Sequence, residues 1–197
     1  MVRSRWRSEY GFAAMGPRGS KRTMVFDRDK FKRLVHYIIW KAGKRDWFGA
    51  TKLNKVLWFS DTRAYALTGA PITGATYVRE QWGPVPKAIM PVRSELHREG
   101  AIRIVREGKL ERMTADKAPD MQPFTSSEIA IVDWWIEHIA TYHTATSISD
   151  HSHDYTWMIA TMGEEIPMVA TFATQIREPT EEEKQWGKEA VDKLGLP

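Results

Sequence analysis

The fold of this 197-residue chain is decided by residues 51–72, which read TKLNKVLWFSDTRAYALTGAPI. Apolar residues recur along this stretch every three or four positions, which is the spacing of one face of an α-helix. Aromatic residues beside that face widen it, so we expect a helix that is buried almost all round. Gly69 permits the left-handed conformation that ends many helices, and Pro71 prevents the helix from continuing. The sequence therefore predicts a central buried helix over about residues 51–68.

A second helix is predicted before this stretch. Apolar residues between Phe31 and Ile39 follow the same helical spacing. Asp27 precedes them, and its carboxylate suits the capping position at the start of a helix. Gly43 stands at the expected end, among cationic residues that interact favourably with the negative end of the helix dipole.

The segment after residue 72 predicts a small β element with one more helix. Residues 76–81 favour a strand, and the prolines after Trp82 enforce extended backbone. A third helix is predicted over residues 87–99. Two alternating apolar runs around Gly108 then predict a β-hairpin over residues 101–114. The expected fold class is α+β and mainly helical, a compact helical domain with a small β-hairpin that resembles the wing of a winged helix.

Helices are also predicted in the last third of the chain. Thr125 and Glu128 form a capping box, in which each side chain binds the backbone at the other residue, and this opens a further helix. Residues 144–160 predict more helix, broken by short turns. Thr180 is expected to cap a last helix that ends at Gly195.

Composition divides the chain and limits its chemistry. Six cationic residues against one acidic residue make residues 1–24 basic, so the whole-chain charge of +4 leaves the rest close to neutral. We expect a flexible basic extension over residues 1–24, a folded domain over 25–177 and a C-terminal helix over 178–197.

The chain has no cysteine, which excludes disulfides and thiolate metal sites and permits a cytoplasmic location. No apolar run is long enough for a membrane span.

Three blocks of the sequence carry a family resemblance. The first is Lys52–Ser60, KLNKVLWFS, which continues to Ile72. The second is Tyr77–Pro86, YVREQWGPVP, and the third is Ser147–Trp157, SISDHSHDYTW. In this order and spacing they resemble the KLxKLLYF helix, the YGPVxP segment and the LSxx[ST]HxxxW signature of the Panacea domain, also called the SocA-like antitoxin domain. Trp58 and Ile148 replace the usual Tyr and Leu of that family, and Trp82 stands where Tyr or a similar residue is common. All three are apolar or aromatic exchanges.

The resemblance implies an antitoxin that neutralises a cognate toxin protein by direct binding, or that delivers the toxin as an adaptor to a protease. It implies a protein partner, no cofactor and no catalytic residue. The identity of the toxin stays open, because toxin partners differ widely across the family. The candidate partner-binding residues at the motif positions are Lys52, Leu53, Lys55, Trp58, Trp82, Gly83, Pro84, Pro86, Ser149, Ser152, His153 and Trp157.

The residues of these blocks also have structural interpretations. Lys52 and Lys55 are most simply a solvated face of the central helix. Trp82 favours burial, because large aromatic side chains are mostly buried. Ser149 or Ser152 would cap a helix that starts near His153, with Trp157 packed one turn later. His153 would then be a hydrogen-bonded, partly buried structural histidine.

Two enzyme hypotheses have less support in the sequence than the binding role. Ser152 and His153 are adjacent, but a serine nucleophile also needs an oriented base and an oxyanion hole, and the sequence lacks a GxSxG elbow. His151, His153 and Asp150 could supply a metal-dependent hydrolase if they converged in a loop, although on a helix the two histidines point to different sides. We predict neither a catalytic nor a metal site.

A DNA-binding regulator is the other alternative, since a helix over residues 87–99 and a hairpin over 101–114 follow the order of a winged helix. Arginines lie nearby, but glutamates alternate with them, so no basic stripe for nucleic acid is expected. Tryptophans supply candidate anchors for a protein partner. Trp134 and Trp135 lie about 100° apart on one helix, so equal burial of both is not expected. The candidate anchors are Trp47, Trp58, Trp82, Trp134, Trp135 and Trp186.

Overall fold

The computed structural model describes residues 25–108 and 110–175, together with residues 181, 185 and 189. The predicted basic extension lies outside the described residues. So does most of the predicted C-terminal helix, although its three described residues are helical. Within the described part, the fold is α+β and mainly helical, as predicted. Its elements are α1 Arg28–Ala42, α2 Ala50–Thr68, β1 Tyr77–Glu80, β2 Gly83–Pro86, α3 Ile89–Arg98, β3 Arg103–Glu107, β4 Leu110–Thr114, α4 Ser126–Tyr142, α5 Ala145–His151, α6 Tyr155–Ile159, β5 Glu165–Ile166 and a 3₁₀ helix, Met168–Gln175.

Helix α2 lies at the centre of the molecule and contacts α1, α4, α5, β2 and β4. Leu53, Val56 and Leu57 on this helix are fully buried, and Trp58 is almost so. Gly69 ends the helix in the left-handed conformation, with φ of 76°. The prediction of a central helix buried nearly all round is confirmed.

Helix α1 begins at the predicted cap, where the Asp27 carboxylate accepts a hydrogen bond from the backbone nitrogen of Lys30 at 2.9 Å. Gly43 marks its end, but in the right-handed conformation, with φ of −64°. A Cβ at this position would lie only 2.0 Å from the carbonyl oxygen of Met113. Glycine is therefore required here by the close approach of β4 and not by its own backbone angle.

The β structure consists of two small antiparallel sheets. Strands β3 and β4 form the predicted hairpin around Gly108, which has φ of 62°. In the other sheet the strand order is β2-β1-β5. Two prolines are tolerated in β2 because this strand lies at the sheet edge and pairs only with β1. Strand β5 and the 3₁₀ helix were not predicted from the sequence.

A buried carboxylate joins α2 to β1. Asp61 is fully buried and accepts hydrogen bonds from Thr73, through its backbone nitrogen at 3.1 Å and its hydroxyl at 3.0 Å, and from the Tyr77 hydroxyl at 2.8 Å. Burial raises the pKa of Asp61, and these donors lower it in part. The network fixes β1, and therefore the turn that follows it, on the central helix.

Candidate functional site

The three sequence blocks meet at Gly83, where the β1–β2 hairpin turns back over α2. This residue has φ of 98°. A Cβ placed on it would lie 2.3 Å from the Lys55 Nζ of α2 and 2.2 Å from the Ser152 Oγ at the end of α5. Only a residue without a side chain lets these three elements approach so closely. The structure therefore brings together one residue from each block of the family resemblance.

Lys55 and Lys52 are buried, so the interpretation of a solvated face is wrong. Their exposed fractions are 1% and 3%. The nearest acceptor of the Lys55 amine is the carbonyl oxygen of Pro84, at 3.4 Å. Burial lowers the pKa of Lys55 to about 7 and also lowers the pKa of Lys52.

The segment from Ser149 to Trp157 differs from the predicted capping. Asp154 and not a serine caps α6, since its carboxylate accepts a hydrogen bond from the backbone nitrogen of Trp157 at 3.1 Å. Ser149 and Ser152 lie within and at the end of α5. Their hydroxyls donate to the carbonyl oxygens of Ala145 at 2.9 Å and Ser149 at 2.7 Å. The serines therefore bind back to their own helix, a local alternative that the sequence did not distinguish from capping.

His153 packs against Trp157, with ring centroids 3.8 Å apart and nearly parallel planes. Its ring is partly buried, as predicted, but its Nε2 is buried without a hydrogen-bond partner among the described residues. Burial, followed by the charge of Lys55, lowers the pKa of His153. Trp157 is held in turn, because its Nε1 donates to the carbonyl oxygen of Glu80 at 3.1 Å and the Arg79 guanidinium lies 4.0 Å from its ring centroid. Arg79 lies in the second block but was not predicted as a site residue, since the family's YGPVxP segment does not extend to it.

Trp82 is 59% exposed, so the expectation that it is buried is wrong. It lies in the turn between β1 and β2. Exposed apolar side chains at the end of α6 and just after it lie near the end of β1, because Arg79 of β1 binds this stretch of chain through its backbone and its guanidinium. We call this set the Trp82 surface: Trp82, Met158, Ile159 and Met162.

The remaining motif residues form the support of this site. Leu53 and Trp58 lie in the core, and Trp58 packs edge-on against Tyr77 with ring centroids 5.0 Å apart. Pro84 and Pro86 belong to β2 and are buried there. Among the candidate anchors, Trp134 is more exposed than Trp135, as expected from their angular separation, while Trp47 is 74% exposed.

The serine–histidine pair of the enzyme alternative is not formed between Ser152 and His153. The Ser152 hydroxyl donates to a backbone carbonyl of its own helix and not to His153. Within residues 25–108 and 110–175, no group of three or more His, Cys, Asp or Glu residues could hold a metal ion.

The winged-helix alternative finds no continuous basic surface on the described residues of α3 and the β3–β4 hairpin. Four arginines of this region form ion pairs with nearby carboxylates, which reduces the charge available to a DNA backbone, while Arg98 forms none with a described residue. The pairs are Arg93–Glu111, Arg103–Asp116, Arg106–Glu111 and Arg112–Glu107.

Comparison with known protein families matches residues 53–158, more than half of the chain, to the family described as Antitoxin SocA-like, Panacea domain. The chain belongs to this family. The match covers nearly all of the three Panacea blocks, from Leu53 in the first to Trp157 in the third. No curated protein and no solved structure matches the chain. Among the described residues, no helix is long and apolar enough to cross a membrane.

Proposed function

We propose that this Panacea-domain protein is an antitoxin that neutralises a toxin protein in the cytoplasm by binding it directly. The observation that carries the proposal is the family match over residues 53–158, since that family is one of antitoxins. The arrangement of the motif residues supports a binding role, because they position an exposed surface and do not assemble a catalytic pair.

We assign the main contact to the Trp82 surface. Tryptophan is enriched among the residues that contribute most to binding energy, and Trp82 is exposed in a rigid turn. Met158 and Met162 beside it have flexible, polarisable side chains, which adapt to differently shaped partners. The neighbouring side chain of Trp157 is already held by its contacts with Glu80 and Arg79, so it loses little conformational entropy when a partner binds.

The experiment is co-expression with the product of the adjacent reading frame, followed by measurement of survival and of complex formation between the purified proteins. We expect the wild-type chain to restore growth and to bind the toxin. Trp82→Ala should weaken the complex by at least about 2 kcal/mol, roughly a thirtyfold loss of affinity. The melting temperature of the free Trp82→Ala variant should equal that of the wild type, because the Trp82 side chain is mostly exposed.

Trp47→Ala is the matched control, since Trp47 is also exposed but lies in the loop between α1 and α2. We expect this variant to bind like the wild type. Equal killing with and without the wild-type protein would contradict the antitoxin function. Equal loss of binding in both tryptophan variants would contradict the assigned surface. The amount of toxin after co-expression tells simple neutralisation from delivery to a protease, because only delivery removes the toxin.

A further inference from the structure

Six aromatic side chains on α2, α4, α5 and the loop between α4 and α5 form a closed series of ring contacts. Neighbouring ring centroids in this series are between 4.6 and 5.8 Å apart. Phe59 and Trp135 stack on the core side, whereas Trp134 and His151 are exposed, so the series lies at the protein surface. We call it the aromatic–histidine surface, which consists in order of Phe59, Trp135, Trp134, His138, His143 and His151.

The titratable groups of this surface are all bases. Lys52 of α2 acts electrostatically on His143, and its own amine, in a side chain almost completely buried, makes no hydrogen bond or ion pair with any described residue. Burial first, then the charges of His138, His151 and Lys52, lower the pKa of His143. The pKa of His138 is lowered by burial and then by His151. The protonated forms of His138 and His143 are thus disfavoured by burial and by neighbouring positive charge.

The acidic groups of the same elements are engaged elsewhere. On α4, Asp133 forms an ion pair with Lys41, and Glu137 forms one with Arg45. On α5, the charge of Asp150 acts on His153. Carboxylates of the described chain therefore do not neutralise the bases of the aromatic–histidine surface. The positive charge that these bases carry when protonated is complementary to an acidic partner.

We infer that the aromatic–histidine surface binds a glutamate or aspartate side chain from an acidic segment of a protein partner, with an affinity that increases as the pH falls. The inference rests on the proposed function to the extent that it requires a protein partner. The bound carboxylate accepts hydrogen bonds from the Lys52 ammonium and from imidazole N–H groups. The indole and phenyl rings beside it reduce access of water, which strengthens these contacts.

The pH dependence follows from linkage. A carboxylate offsets the repulsion among the bases, so binding raises the pKa of His138 and His143 towards or above the ordinary value. The complex therefore takes up protons that the free protein does not hold near neutral pH. Affinity must rise as the pH falls through this range, and a rise of one pKa unit corresponds to about a tenfold change.

The test uses the full chain and a blocked hexaglutamate peptide, with a blocked hexaglutamine peptide as the uncharged control. Binding is followed by NMR of the imidazole signals at about pH 8 and about pH 6, at constant ionic strength. We expect the hexaglutamate peptide to bind about tenfold more tightly at the lower pH and to shift the signals of His138 and His143. The hexaglutamine peptide should cause neither effect.

Two variants locate the site. His143→Gln should lose most of the pH dependence, whereas His97→Gln should keep it, because His97 is exposed on α3 outside this surface. The inference is overturned if the two peptides bind alike, if affinity is equal at both pH values, or if His143→Gln behaves like the wild type. Should His143→Gln fail to fold, the wild-type pKa values decide, since they must rise on addition of hexaglutamate.

These outcomes are separate from the test of the antitoxin function. A toxin that binds the wild-type chain while hexaglutamate does not would leave the proposed function intact and refute the acidic contact. Peptide binding without any toxin partner would refute the proposed function and leave the acidic site in place.

Discussion

At the residue scale, Lys55 links the site to the stability of the protein. Its amine is buried beneath the β1–β2 hairpin, with the carbonyl oxygen of Pro84 3.4 Å away as its acceptor. The unfolded chain holds a proton on this amine up to its ordinary pKa of 10.5, whereas burial lowers the pKa in the folded protein to about 7. The folded state therefore pays for this lysine at neutral pH, and the cost disappears only above the ordinary pKa.

Lys55→Met is expected to stabilise the protein at pH 7 by about 3 kcal/mol, because methionine fills a similar volume without a buried amine. For a base whose pKa is lowered by folding, the cost is complete below the folded pKa. The gain should therefore shrink as the pH rises from about 7 to 10.5. Urea unfolding across this range measures it. Lys44→Met, at an exposed position, is the control and should change stability little. A gain that does not vary with pH would refute this account.

At the element scale, the turn of the β1–β2 hairpin depends on Gly83 for two separate reasons. Its φ of 98° is unfavourable for residues with a side chain, and a Cβ would collide with Lys55 and Ser152. Gly108, in the turn of the β3–β4 hairpin, has φ of 62° and nothing within 4 Å of a Cβ. The two glycines therefore separate backbone strain from steric collision.

Gly83→Ala should destabilise the protein by about 3 kcal/mol, and Gly108→Ala by about 1 kcal/mol, the cost of positive φ alone. Thermal unfolding of both variants checks the difference. Gly83→Ala should also weaken toxin binding, because it displaces the turn that presents Trp82. If the two alanine variants lose equal stability, the close approach of α2 and α5 to the hairpin does not contribute.

The elements also show what the sequence could predict. Helices α1, α2 and α4 and the β3–β4 hairpin follow from periodicity, caps and glycines, which are local signals. Strand β5 has two residues and pairs through its backbone with β1, so no side-chain pattern in the sequence predicts it. The width of the apolar face of α2 already implied that Lys52 and Lys55 are buried. Assigning them to solvent relied on residue type alone, and the same reasoning placed Trp82 in the core.

At the scale of the whole molecule, the site blocks meet only because two distant segments, the β1–β2 hairpin and α5, pack on α2. The motifs could be recognised in the sequence, but the contact between Gly83, Lys55 and Ser152 depends on tertiary packing. Arg79 was not recognised for the same reason, since the carbonyl oxygens of Met158 and Ala160 that it binds are remote in the chain. Helix α1 is joined to α3 and α4 by ion pairs. The pairs with Glu95 of α3 give the fold a second dependence on pH, in the acid range.

Glu95 of α3 accepts hydrogen bonds from Arg28 and Lys32 of α1, and these contacts lower its pKa to about 2. For an acid whose pKa is lowered by folding, the contribution is complete above the ordinary value of 4.5 and is lost as the pH falls to about 2. Glu95→Gln should therefore flatten the acid limb of a plot of stability against pH. The rise between about 7 and 10.5 should remain.

Lys55→Met should instead flatten the rise between about pH 7 and 10.5 and leave the acid limb in place. Lys55 lies where α2 packs on β2, Glu95 lies where α3 packs on α1, and the two groups titrate in separate ranges. Unfolding measured across both ranges in the two single variants and the double variant checks this independence. Additive effects are expected for such distant sites. Glu165→Gln, which removes an exposed partner of Lys87, is the control for loss of a surface ion pair and should leave both limbs in place. A change of both limbs in either single variant would show that the ion pairs of α1 and the buried amine of α2 are coupled through the core.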